Sequence, residues 1–144
     1  MTGRAFVHST RVRPLDCDRQ GVVGHPLYLH FFEAALIELW REALGPYEET
    51  VAQGVDLAVA ETNVRYLAPA RFDDMLEVAV TVREIGTTAV VVRFDVSAAG
   101  VPVVRGETRY VCVATASGAK QPVPDAIRRA LSDYMVEPAA TPAS

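Results

Sequence analysis

From Leu27 to Leu44 apolar side chains return every third or fourth residue, at Leu29, Phe32, Leu36, Leu39, Trp40 and Ala43, a spacing that predicts a helix with a broad buried stripe. Gly45-Pro46 ends it, and Pro26 stands at its first position, where a missing N–H does no harm and a fixed φ favours helix entry. At the helical rise such an element is about 27 Å long. Tyr28, Phe31 and Ala35 add apolar surface on a second side, leaving only a narrow polar strip of His30, Glu38, Arg41 and Glu42. The pattern describes a helix enclosed on most of its circumference.

Beyond a short polar segment at residues 46–54 the period changes to two. Val55–Tyr66, Leu76–Ile85, Thr88–Ala98 and Val101–Ala114 are rich in β-branched residues that alternate with polar ones, as half-buried strands do. Val78, Val80 and Val82 share one face and Glu77, Thr81 and Arg83 the other; Val90, Val92, Phe94 and Val96 repeat the pattern. Gly86 and Ala99-Gly100 punctuate the series like hairpin turns, so the four strands are expected to form an antiparallel meander. Residues 4–13 read as a first strand stopped at Pro14, residues 124–134 as a short final helix, and EPAATPAS, residues 137–144, as a frayed tail. One long apolar helix and one sheet with a single apolar face bury each other when the sheet wraps the helix, an α+β architecture in a single domain over residues 1–136.

Length and composition agree. The chain has 144 residues, half of them hydrophobic and 22% charged, enough for one core without disulfides or a structural metal. With 14 Lys+Arg against 18 Asp+Glu the formal charge is -4, so no positive field draws nucleic acid. No apolar run approaches a membrane span, no N-terminal apolar segment reads as a signal peptide, and Cys17 and Cys112 are too isolated for a disulfide framework. These features read together as a cytoplasmic protein.

The chemistry concentrates between Pro14 and Pro26. There is no GxSxG, GxxxxGK[ST], HExxH or GxGxxG, which removes local support for serine-hydrolase, P-loop, zincin and dinucleotide readings. Asp16, Cys17, Asp18 and His25 are residue types that ligate metals, but one imidazole and this spacing match no zinc pattern, and no metal is expected. Asp16 and Asp18 flank Cys17 and oppose its thiolate, which argues against a nucleophilic cysteine. What remains is an acidic loop running into a helix N-terminus: Asp16, Asp18, Gly21, Gly24, His25, Pro26. Unpaired N–H groups at a helix start suit a carbonyl oxygen that becomes an oxyanion, with the amides of Gly24, His25 and Leu27 as candidate donors. A carboxylate beside that carbonyl can deprotonate water or attack directly. The alternative is that both aspartates only satisfy loop amides in an Asx-turn. Glu33 is a second anomaly, a carboxylate on the apolar stripe that must be hydrogen-bonded or face a cavity, either in catalysis or in fixing the loop.

DCDRQGVVGHPLYLHFFEAA resembles the signature of the 4-hydroxybenzoyl-CoA thioesterase family of hotdog-fold acyl-CoA thioesterases, through Asp16, Asp18, Gly21, Val22, Val23, His25, Tyr28, Phe32 and Glu33. The similarity continues through residues 63–78 and 83–96. It implies a hotdog fold, a five-stranded antiparallel sheet around one long helix, and hydrolysis of an acyl-CoA or acyl-carrier-protein thioester, with coenzyme A or pantetheine as part of the substrate and no cofactor. It also implies that Asp18 is the catalytic base or nucleophile and that the backbone N–H of His25 polarises the thioester carbonyl. Relatives carry an aromatic residue where this chain has Gly24, so Gly24 and Tyr28 are expected to shape the substrate pocket. By the same resemblance the small-residue turn at Gly86, Thr87 and Thr88 is expected to bind pantetheine or nucleotide, though it reads equally well as a solvated hairpin turn. A hotdog dehydratase or hydratase and a non-catalytic acyl-CoA-binding module are the competing functions; the Asp-x-Asp stretch argues against both. Open sheet edges, for instance a β-rich edge at Thr88–Val96, call for pairing, so a homodimer or homotetramer is expected; the resemblance implies the same, with the active sites at the subunit junction.

Overall fold

The computed structural model describes residues 3–136. Its elements are β1 (Phe6–Arg11), α1 (Leu27–Leu44), α2 (Tyr47–Ala52), β2 (Val55–Tyr66), β3 (Met75–Ile85), β4 (Ala89–Ala98), β5 (Val101–Ala114) and α3 (Asp125–Ser132), with one 3-10 turn at Pro14–Asp16. Long helix, final helix and five strands stand where the hydrophobic periods put them. The tail expected at 137–144 lies outside the described residues.

The five strands form one antiparallel sheet in the order β1-β3-β4-β5-β2. Its inner face carries Leu76, Val78, Val80 and Val82 from β3 and Val90, Val92, Phe94 and Val96 from β4, all almost wholly buried. Against them α1 lays Phe32, Leu36, Leu39 and Trp40. Bulges at Val82/Glu84 and Val59/Glu61 add twist, which curls the sheet around the helix. This is the α+β hotdog arrangement expected of the chain.

Three details depart from the sequence reading. The meander runs only through β3, β4 and β5, because β2 pairs with β5, Val55 opposite Ala114 and Tyr66 opposite Val104. The β2–β3 connection is eight residues without a tight-turn signature, and β1 takes the free side of β3. In consequence β4 is the middle strand and the open edges are β1 and β2, not Thr88–Val96. Pro26 sits one position before the helix, already with helical dihedrals (φ -69, ψ -21). Finally, the polar segment at 46–54 holds α2, which Trp40 anchors by donating its indole N–H to the buried Thr50 hydroxyl at 2.9 Å.

One contact fixes how closely α1 approaches the sheet. The Phe32 ring stacks on Phe94 at 4.6 Å between centroids, only 7° from parallel, and it occupies the space beside Gly106 of β5. A Cβ at position 106 would run into that ring.

Candidate active site

The segment between Cys17 and Val23 is a miniature hairpin. Cys17 bridges Val23, the Asp18 N–H donates to the Val22 carbonyl at 2.9 Å, and Gly21 turns the chain with φ +78. One carboxylate oxygen of Asp18 closes this turn, accepting from Gln20 N–H at 2.8 Å and Val22 N–H at 3.3 Å. Its other oxygen receives no hydrogen bond from the described residues, and the side chain is exposed. Asp16 accepts the Arg13 N–H at 2.8 Å. The hairpin rests on the β2–β3 connection, since Val22 bridges Arg71 and Val23 N–H donates to the Ala70 carbonyl.

Of the three candidate donors at the helix start, two are already committed. Gly24 N–H donates to the Asp16 carbonyl at 3.1 Å and Leu27 N–H to the Gly24 carbonyl at 3.0 Å. His25 N–H donates to no group among the described residues. The peptide that follows is held from outside: the Tyr66 hydroxyl donates to the His25 carbonyl at 3.1 Å, and the two rings meet edge-on at 6.2 Å. Beside it Gly24 is open, because an added Cβ would meet nothing nearer than Pro26 at 3.9 Å. An unengaged amide at the positive end of a helix, following directly on a hairpin whose Asp18 carboxylate also keeps one oxygen unengaged, is an arrangement suited to a carbonyl becoming an oxyanion.

A cavity of about 370 Å3 lies between α1 and the β2–β5 side of the sheet. Leu29 and Glu33, expected inside the buried stripe, stand at its margin instead and line this cavity, since the stripe centres on Phe32, Leu36 and Leu39. Across from them stand Tyr110, Thr108 and Thr62, with the Thr62 and Thr108 hydroxyls 3.1 Å apart. Burial pushes the Tyr110 phenol up to about 12; the Thr108 hydrogen bond opposes this and the Glu33 charge adds to it. At the far end the Tyr47 hydroxyl donates to Asp56 at 2.6 Å, and burial followed by that bond raises the Tyr47 phenol strongly.

Asp18, Gly24 and His25 therefore come together at one end of the molecule. Tyr28 lies buried just below, edge-on to Tyr66, and presents no open face in this chain. Thr87 and Thr88 do not join them. Their carbonyls accept Val123 N–H and Cys112 N–H, while Arg128 of α3 donates to the Gly86 carbonyl at 3.0 Å. That turn is level with Cys112, whereas His25 is level with Val104, a separation on the order of 27 Å along β5. Cys17 is no nucleophile in waiting: desolvation first, then the charges of Asp16, Asp18 and Asp74, raise its thiol above the ordinary value. Among the described residues no three His, Cys, Asp or Glu side chains are grouped as a metal ion requires. Tyr66, which holds the His25 peptide, was not foreseen; an aromatic residue closing a strand just before Leu-Ala-Pro is the only local signal for it.

Comparison with known proteins identifies the family of the chain. Residues 12–131 match the model of the thioesterase-like superfamily. The acyl-CoA thioester hydrolase YbgC of Escherichia coli O6:H1 is 34% identical over 114 residues, 78% of this chain and 85% of that protein. The 1,4-dihydroxy-2-naphthoyl-CoA hydrolase of Nostoc punctiforme is 28% identical over 131 residues, 85% of this chain and 84% of that one. Among solved structures, a thioesterase superfamily protein from Jannaschia sp. CCS1 superposes with a TM-score of 0.87 at 25% identity, covering 96% of this chain and 99% of the other.

Proposed function

The chain belongs to the thioesterase-like superfamily, and we propose that Asp18 and the His25 amide carry out its acyl-CoA thioester hydrolysis. The reaction class is that of its relatives, which are named acyl-CoA thioester hydrolases, and the resemblance to the 4-hydroxybenzoyl-CoA thioesterases makes that subfamily the proposed place of this chain within the superfamily. An acyl-carrier-protein thioester is a second proposed substrate form, since both present the same pantetheine.

The observation that carries the reading is the unengaged His25 N–H beside the Asp18 hairpin. The thioester carbonyl oxygen accepts this N–H, and the helix N-terminus stabilises the negative charge that develops as the carbonyl carbon becomes tetrahedral. The free oxygen of Asp18 takes the proton from an attacking water, and collapse expels the thiolate, which receives that proton and leaves as the free thiol beside the carboxylate product. Or Asp18 itself attacks the carbon, collapse expels the thiolate and leaves a mixed anhydride on Asp18, and a water then hydrolyses the anhydride, restoring the Asp18 carboxylate and supplying the proton for the thiol. Tyr66 acts as a positioning residue by holding the His25 carbonyl, in the peptide that follows the carbonyl-binding amide.

A two-fold dimer accommodates the distant turn. If the open edge of β2 pairs antiparallel with its copy, Val55 of one subunit lies toward Tyr66 of the other, and the Thr87–Thr88 turn of each approaches the Asp18 end of its neighbour. In that assembly Thr87 and Thr88 reach the carrier moiety from across the junction.

The test is Asp18→Asn assayed on aliphatic and aromatic acyl-CoAs with thiol release as the readout. An asparagine oxygen still accepts the Gln20 and Val22 amides, so the thermal midpoint should hold while kcat falls on the order of 10²–10⁴. Retention of more than about a tenth of wild-type kcat, where chemistry limits turnover, would transfer the role elsewhere.

A further inference from the structure

The cavity between α1 and β2 has apolar walls and acidic fittings. Leu29, Phe32, Leu36 and Val59 form its sides, and its charged groups are Glu33 and Asp56; no Arg, Lys or His among the described residues lines it. Its donors are mostly committed. The Tyr47 hydroxyl and the Leu57 N–H both go to one oxygen of Asp56, and the threonine hydroxyls bond each other. What remains open is the Glu33 carboxylate, which receives no hydrogen bond from the described residues, and the Tyr110 hydroxyl, which donates to none of them. Space walled in carbon that offers one open carboxylate and one open hydroxyl favours a neutral hydroxyl and repels an anion.

The position of Glu33 says where that donor should be. Leu29, Glu33 and Ile37 are spaced by four on one side of α1, and His25, four residues before Leu29, places its unengaged amide just ahead of the helix start. Glu33 is about 12 Å further along at the helical rise, and its side chain leans back toward the N-terminus. A chain whose carbonyl sits at His25 meets apolar Leu29 first and the carboxylate one to two turns on.

We infer that this cavity receives the acyl group and selects an aliphatic chain bearing a hydroxyl one to two helical turns from the thioester carbonyl, with Glu33 accepting that hydroxyl and excluding chains that end in a carboxylate. The inference rests on the proposed role of the His25 amide. It makes Glu33 a specificity-determining residue, not the catalytic base.

Three acyl-CoAs of equal length test it: octanoyl-CoA, 8-hydroxyoctanoyl-CoA and 7-carboxyheptanoyl-CoA, compared by kcat/KM in wild type and in Glu33→Gln. Glu33 is exposed at the mouth, so a moderate selectivity is expected: about fivefold in favour of the hydroxyl over the plain chain, and at least about tenfold against the carboxylate. Glu33→Gln should leave the ranking of the hydroxylated chain weaker and raise the carboxylated chain toward the plain one. Equal kcat/KM for all three overturns the inference, as does a Glu33→Gln effect that scales all three by one factor. Hydrolysis of aromatic acyl-CoAs with none of the three overturns it too. Failure to hydrolyse any acyl-CoA strikes instead at the proposed function.

Discussion

Asp16 and Asp18 stand two residues apart and serve the loop differently. Asp16 accepts one amide, Arg13 N–H, and contributes its own carbonyl to Gly24, so its side chain is a clasp on the loop. Asp18 clasps with one oxygen and offers the other. Asp16→Asn is therefore expected to keep kcat within about tenfold of wild type on a substrate for which Asp18→Asn loses it, with both thermal midpoints close to wild type. Much of this was legible in the chain, because hairpin, glycine turn and helix start are all local and their residue types announce them. Local pattern left the three amides equal and only the resemblance singled out His25, since which of them stays unengaged depends on the carbonyls that face Gly24 and Leu27. The Asx-turn and catalytic readings of Asp18 also proved compatible, one oxygen to each.

The fit of α1 on the sheet turns on a glycine that no local pattern marks. Gly106 lies in the middle of β5, where glycine weakens a strand, opposite Phe94 on one side and Val64 on the other. Its missing side chain leaves room for the Phe32 ring. Gly106→Ala should push the helix outward and destabilise the protein by about 1–3 kcal/mol, read as a lower thermal midpoint, with a further loss of activity because Phe32 also walls the cavity. The periods of 3.6 and 2 located the elements well, since each depends on neighbours a few residues away. Strand order escaped them: alternation says which face of β2 is apolar and nothing about which strand lies beside it. The same limitation let Thr50 pass as loop polarity, although its hydroxyl holds the one tryptophan.

At the scale of the whole molecule, the open edge of β2 and its exposed Val59 ask for a partner. Light scattering at micromolar concentration should report two or four copies of the 15.6 kDa chain, and a mass near one copy would reject the shared-site dimer. The tyrosines make a second molecular property. Burial raises Tyr28, Tyr47, Tyr110 and Tyr134 above the ordinary phenol value of 10. The folded state then holds these protons where the unfolded chain has lost them, so the stability they contribute is complete below about pH 10 and drains away as pH climbs toward 12. Thermal midpoints measured from pH 8 to pH 11 should hold up to about pH 10 and fall above it, and Tyr110→Phe should flatten the decline.

The strand order also sets a timetable. β3, β4 and β5 close on one another through short turns, whereas Phe6 must find Val80 and Val55 must find Ala114 across long stretches of chain. Closing such loops is slow, because their entropy is lost before any pairing rewards it. The central hairpins are thus expected to form the early nucleus, with β1 and β2 the last strands to lock and the first to leave. Since β2 is the margin on which a second subunit would sit, the surface for assembly matures only when the rest of the chain has folded, and half-folded chains lack the template on which to join.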